Sequence, residues 1–84
     1  MEAKKSQKVV VEILGDTYPF RTDGDPAELK KLAAFVDSHM KAAAQKTRSL
    51  NGQRIAVLTA MEIAEQYFQL KKDYDELVEL LEEK

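Results

Sequence analysis

The sequence predicts an α+β fold. An N-terminal β-hairpin and one amphipathic helix form a small head, and a long C-terminal helix leaves the head to form an intermolecular coiled coil. Three observations carry this expectation. A β-branched run in "KVVVEILGDTYPFRT" meets a glycine turn and a second strand-like stretch. The segment "DPAELKKLAAFVDSHMKAAAQKT" spaces its apolar side chains as a helix does. Beyond Gly52 there is no Pro or Gly, and apolar residues recur in steps of four and three.

The organisation expected along the chain is a disordered tail over 1–7, a ββα head over 8–68 that includes the first half of the long helix, and a projecting coiled-coil end over 69–84. With 84 residues the protein is close to the size at which a single core struggles to stabilise itself, so self-association is expected. Charged residues make up 33% of the chain with a net charge of −2, which weighs against nucleic acid as a partner. There is no cysteine, which excludes disulfides, thiol nucleophiles and thiolate metal sites. The polar start "MEAKKSQK" lacks the apolar core of a signal peptide, and no stretch approaches a membrane span. A cytoplasmic protein with no membrane partner is expected.

In the hairpin, Val9 to Ile13 lead to a turn expected at Gly15-Asp16, after which Tyr18 and Phe20 alternate with Thr17, Pro19 and Arg21. Pro19 has no N–H for a ladder bond, so its strand is expected to have a free side there. Two strands are marginal alone and need a helix or another chain against them. The first helix opens with Asp25 as cap, Pro26 at the first helical position and Glu28 at the capping-box position. Leu29, Leu32, Ala33, Val36, Met40 and Ala43 form its apolar stripe.

Asn51-Gly52 breaks the pattern, and the second helix is expected from about Arg54 to the end. Roughly thirty residues at ~1.5 Å each exceed the breadth of so small a domain, so the far end should project. Ala56, Ala60, Ile63, Tyr67, Leu70, Tyr74, Leu77 and Leu81 trace one a/d seam. A long helix folded over its own core would leave a similar stripe, but no further element remains to cover Leu70, Tyr74, Leu77 and Leu81. The oligomer interface is therefore assigned to Ile63, Tyr67, Leu70, Tyr74, Leu77 and Leu81. Ile55, Leu58, Met61 and Phe68 lie off the seam and are expected to pack against the hairpin and first helix.

Catalytic chemistry finds little support, and neither catalytic, cofactor nor metal sites are expected. His39 is the only histidine and sits beside Phe35 at the margin of the first helix's stripe. The three glycines are isolated at turns, so no phosphate-cradling loop is present. The acidic run "DYDELVELLEEK" reads as solvated helix faces, and Tyr67, Phe68 and Tyr74 as packing residues rather than base-stacking ones. One polar cluster stands out. Lys41, Lys46, Arg48 and Arg54 surround the break between the helices, with Arg21 of the hairpin expected nearby. Solvated charge is the plain reading; the functional one is a docking surface for an acidic partner at Arg48, Arg54, Lys46 and Arg21, with guanidinium groups favoured for holding carboxylates in paired geometry.

The hairpin "EILGDTY", the capped helix ending in "KTR" and then "RIAVLTAMEIAEQY" together resemble the ZapA family of bacterial division proteins. Ile13, Gly15 and Tyr18, with Ala60, Met61, Ile63 and Ala64, carry the likeness, which covers nearly the whole chain from about residue 8. Met61 and Glu62 stand where the family commonly has Leu and Asn. The resemblance implies a non-enzymatic adaptor that binds the tubulin-like protein FtsZ and cross-links its protofilaments at mid-cell, working as a homodimer whose pairing gives a homotetramer. It also implies a role for Arg48, which matches a family arginine, whereas Asp16 stands where a basic residue can occur and Gln53 where a glutamate can. A small oligomeric nucleic-acid-binding protein and a regulatory subunit of an unrelated enzyme are the competing readings.

Overall fold

The computed structural model describes residues 6–83. Two strands and two helices follow in order: β1 (Gln7–Ile13), β2 (Asp16–Thr22), α1 (Pro26–Thr47) and α2 (Gly52–Glu82). The strands pair antiparallel from Gln7 with Thr22 to Ile13 with Asp16. Of the tail expected over 1–7, residues 1–5 lie outside the described residues and Gln7 already belongs to the sheet.

The turn falls one residue earlier than its glycine suggested. Leu14 and Gly15 both have positive φ, 52° and 85°, the requirement of a type I′ hairpin, so the turn is Leu14-Gly15 and Asp16 opens β2. A leucine in the left-handed region costs free energy that a glycine would not. A long-range contact holds it there: the Leu14 N–H donates to Asp37 Oδ1 of α1 at 2.8 Å. Asp37 is itself braced by Lys41, 3.0 Å away one helical turn on.

α1 begins as expected at Pro26, with Asp25 Oδ1 accepting the Ala27 N–H and the Asp25 carbonyl accepting from Glu28 and Leu29. Its inner face lies on β1, where Val9, Val11 and Ala33 are buried, with Ile13 and Leu29 packed around them. Tyr18 and Phe20 share that sheet face, being the partners of Val11 and Val9, yet stay exposed because α1 packs on β1. Leu32, expected in the stripe, is also exposed.

At its far end α1 turns back through Ser49, Leu50 and Asn51 into α2. Asn51 Oδ1 accepts the Arg54 N–H at 3.0 Å, so the residue read as a breaker is the cap and α2 starts two residues before Arg54. Where the helices meet, Ala43 of α1 is completely buried, and Ile55 and Thr59 of α2 are buried as well. Thr59 satisfies its hydroxyl on the Ile55 carbonyl at 2.8 Å, which lets a polar side chain sit in this apolar contact. The Lys46–Glu62 ion pair, 3.0 Å, closes the outer edge of the junction. α2 then runs on, ~46 Å long in all at ~1.5 Å per residue. The molecule is a flat shape of 51 × 51 × 15 Å.

Candidate functional site

His39 Nδ1 lies 3.0 Å from the Phe35 carbonyl, and its ring packs on the Phe35 ring with centroids 4.1 Å apart. No group of three or more metal-ligating side chains occurs among the described residues. What the fold presents is two surfaces, one apolar and one cationic, on opposite parts of α2.

The apolar surface is the outer half of α2. Tyr67, Leu70, Tyr74, Leu77 and Leu81 are all exposed, Leu70 at 68% and Leu77 at 54%, while Ile63, nearer α1, is half-buried. A row of five large apolar side chains in water is a strong driving force for association, since a fully buried Leu contributes roughly 1.5–3 kcal/mol. The expectation that Ile55, Leu58, Met61 and Phe68 all pack inside the head is corrected in part. Ile55 is buried and Leu58 half-buried, but Met61 and Phe68 are exposed. The reason is geometric: α2 packs against α1 and does not lie across the hairpin, so the helix face that carries Met61 and Phe68 is left uncovered. Leu58, Met61, Ala64 and Phe68, with Glu62 and Glu65 beside them, line an open groove along α2.

The cationic surface is the junction between the helices. Arg48 caps α1 in the left-handed conformation, φ 55°, and its N–H bonds the Ala44 carbonyl at 2.8 Å. Its backbone is therefore fixed by the helix end while its guanidinium extends from an exposed position. Arg54 occupies the third position of α2, in a first turn that contains no acidic residue. A cation there adds to the positive end of the helix dipole instead of offsetting it, which costs stability and raises the local potential for an anion. Neither guanidinium makes an ion pair with the described residues. The linker that separates them is braced by short local bonds, Ser49 N–H to Thr47 Oγ1 at 3.3 Å and Asn51 N–H to Ser49 Oγ at 3.1 Å. Between the two arginines Leu50 is fully exposed, a residue the sequence reading passed over.

The other two basic residues are placed differently. Lys46 gives its ammonium to Glu62 and serves the α1–α2 contact. Arg21 stands opposite Lys8 near the open end of the hairpin, donating to Ser6 Oγ at 3.4 Å. That end leads into the first turn of α1, and Arg48 lies at the other end of the helix, ~33 Å away at ~1.5 Å per residue. The fold therefore does not bring Arg21 to the junction, contrary to the expectation that it lies nearby.

Residues 9–84 match the family model described as Cell division protein ZapA. The chain is similar to Cell division protein ZapA of Geobacillus kaustophilus (strain HTA426), with 37% identity over 81 residues, covering 96% of this chain and 89% of the relative. The corresponding protein of Shouchella clausii (strain KSM-K16) is 33% identical over 76 residues, covering 89% and 97%. Among solved structures, a ZapA mutant dimer from Geobacillus stearothermophilus matches with a TM-score of 0.70 and 36% identity, covering 99% of this chain and 96% of that one.

Proposed function

The chain belongs to the ZapA family of cell division proteins, and on that premise we propose that it is a non-enzymatic adaptor that binds FtsZ and cross-links its protofilaments at the division site. The observation that carries the reading is the separation of the two surfaces. An uncovered apolar seam runs down the outer half of α2, and the exposed arginines sit at the other end of the helix; Leu70 is about 24 Å beyond Arg54 along the axis. A chain that associates through the seam and docks through the head carries one docking surface per copy. Two or more copies held by their stalks then present several weak contacts at once, and avidity makes them a cross-linker.

In this scheme Ile63, Tyr67, Leu70, Tyr74, Leu77 and Leu81 pair with a second copy as a coiled coil, giving a homodimer, and meeting of two dimers gives a tetramer. Arg48 and Arg54 dock against carboxylates on FtsZ, and Lys46 holds the junction in shape through Glu62. The working compartment is the cytoplasm at mid-cell. No helix of the described residues is long and apolar enough to cross a membrane. Co-sedimentation with polymerising FtsZ from the same source tests the reading. The chain should enter the pellet with polymer and stay in the supernatant when polymerisation is withheld. Absence from the polymer pellet at low salt would refute it.

A further inference from the structure

The hairpin has two outer edges, and they are not equivalent. In a two-residue hairpin the pair flanking the turn, here Ile13 and Asp16, is hydrogen-bonded, and the pattern alternates from there. Residues 9, 11 and 13 of β1 therefore bond inward, while Lys8, Val10 and Glu12 turn their N–H and C=O groups outward. On β2 the outward residues are Thr17, Pro19 and Arg21. Pro19 has no N–H to offer and blocks that edge. The β1 edge keeps all three donors and all three acceptors, and among the described residues no third strand pairs with it. A groove runs beside it, between Val10, Val11 and Glu12 of β1 and Lys30, Ala33, Ala34 and Asp37 of α1. The two alanines keep that flank of the helix low enough for a strand to approach.

We propose that this edge pairs antiparallel with the β1 edge of a second copy about a twofold axis at Val10, joining two hairpins into one four-stranded sheet. The occupant follows from the order of side chains along the edge. A twofold at Val10 sets Val10 against its symmetry mate and sets Lys8 of each chain opposite Glu12 of the other. All three outward residues then fall in hydrogen-bonded pairs, and both charged pairs are of opposite sign. A strand shifted by two residues sets Lys8 opposite the partner's Val10, or Val10 opposite its Glu12, and loses both ion pairs, while a shift by four sets Lys8 against Lys8 or Glu12 against Glu12. The hairpin, covered by α1 on one face, gains a third and fourth strand at its open edge. This surface is distinct from the seam on α2 and does not depend on contact with FtsZ.

Because the chain has no cysteine, Val10→Cys reports the contact directly. Facing residues of a hydrogen-bonded pair have Cα atoms ~5.5 Å apart, within disulfide range. In the full-length chain under mild oxidation, Val10→Cys should form a covalent dimer at least about tenfold faster than Thr17→Cys on the blocked edge. Adding Lys8→Glu, which sets like charges against each other in both cross-strand pairs, should slow that cross-linking on the order of tenfold, and Lys8→Glu with Glu12→Lys should restore it. All of these positions are exposed, and circular dichroism checks that each variant keeps its helices. Equal rates for Val10→Cys and Thr17→Cys, or a rate that ignores the charge reversal, would overturn the proposal.

Discussion

Replacing Leu70 by Asp should break the assembly, and the structure sets the size of the effect. Leu70 is 68% exposed in the single chain, so about two thirds of its burial is left for a partner. At roughly 1.5–3 kcal/mol for a fully buried Leu, that is ~1–2 kcal/mol per copy and ~2–4 kcal/mol for two copies. Aspartate forfeits this and also brings a carboxylate into the seam from each chain, at a further cost of several kcal/mol. The sum exceeds ~4 kcal/mol, which at ~1.4 kcal/mol per decade weakens association on the order of a thousandfold. Sedimentation velocity over a micromolar concentration series reads it: the parent should sediment at twice the chain mass or more, and the variant should shift toward the monomer. Lys72→Asp, on the opposite face of the same turn, is the control and should leave the mass unchanged. A parent that is already a folded monomer, or a Leu70→Asp variant with the parent's mass, would refute the assignment of the seam.

Three further outcomes are expected. Ile55→Ala empties a buried position at the α1–α2 contact and should cost about 2–5 kcal/mol, read by urea denaturation. Asp37 titrates below its ordinary range, chiefly because its carboxylate accepts the Leu14 N–H and next because of Lys41. A depressed carboxyl contributes stability that is complete above its unfolded pKa of ~3.9 and is lost as pH falls through the folded value, so Asp37→Asn should remove part of the acid sensitivity seen below about pH 4. Arg48→Gly suits the left-handed cap and should hold or raise thermal stability while deleting the guanidinium. FtsZ binding should nonetheless fall, and the parent's binding should weaken with salt as the screening length drops from ~10 Å at 0.1 M toward ~3 Å at 1 M; full binding by Arg48→Gly would remove the junction as the docking site.

The order of elements was legible because each leaves a local signature. The β-branched run, the Asp25-Pro26 start and the unbroken chain after Gly52 fix β1, α1 and α2 without reference to anything distant. The errors arose where a distant group decided the local conformation. Gly15 drew the turn onto itself, but the turn begins at Leu14, a residue that tolerates positive φ only because Asp37, far along the chain, takes its N–H. Met61 and Phe68 were assigned to the head by periodicity, which reports the faces of a helix but not the angle at which it meets its neighbour. α2 packs on α1 and stays clear of the hairpin, and no spacing rule encodes that. In the candidate site, clustering in sequence placed Arg48 and Arg54 on either side of the junction because a short linker joins them. It misplaced Arg21, whose distance is set by the length of α1, and it passed over Leu50, whose exposure depends on how Ser49 and Asn51 fold the linker.

Differential sedimentation with FtsZ polymers separates docking by the head from bridging by the stalk. High-speed pelleting collects single filaments and whatever is bound to them, whereas low-speed pelleting collects only bundles. The parent chain should drive FtsZ into the low-speed pellet. The Leu70→Asp, Leu77→Asp double variant should still reach the high-speed pellet, with weaker apparent affinity for want of avidity, and should leave FtsZ out of the low-speed pellet. Bundling at the parent's level by a variant proven monomeric would contradict cross-linking through the α2 seam.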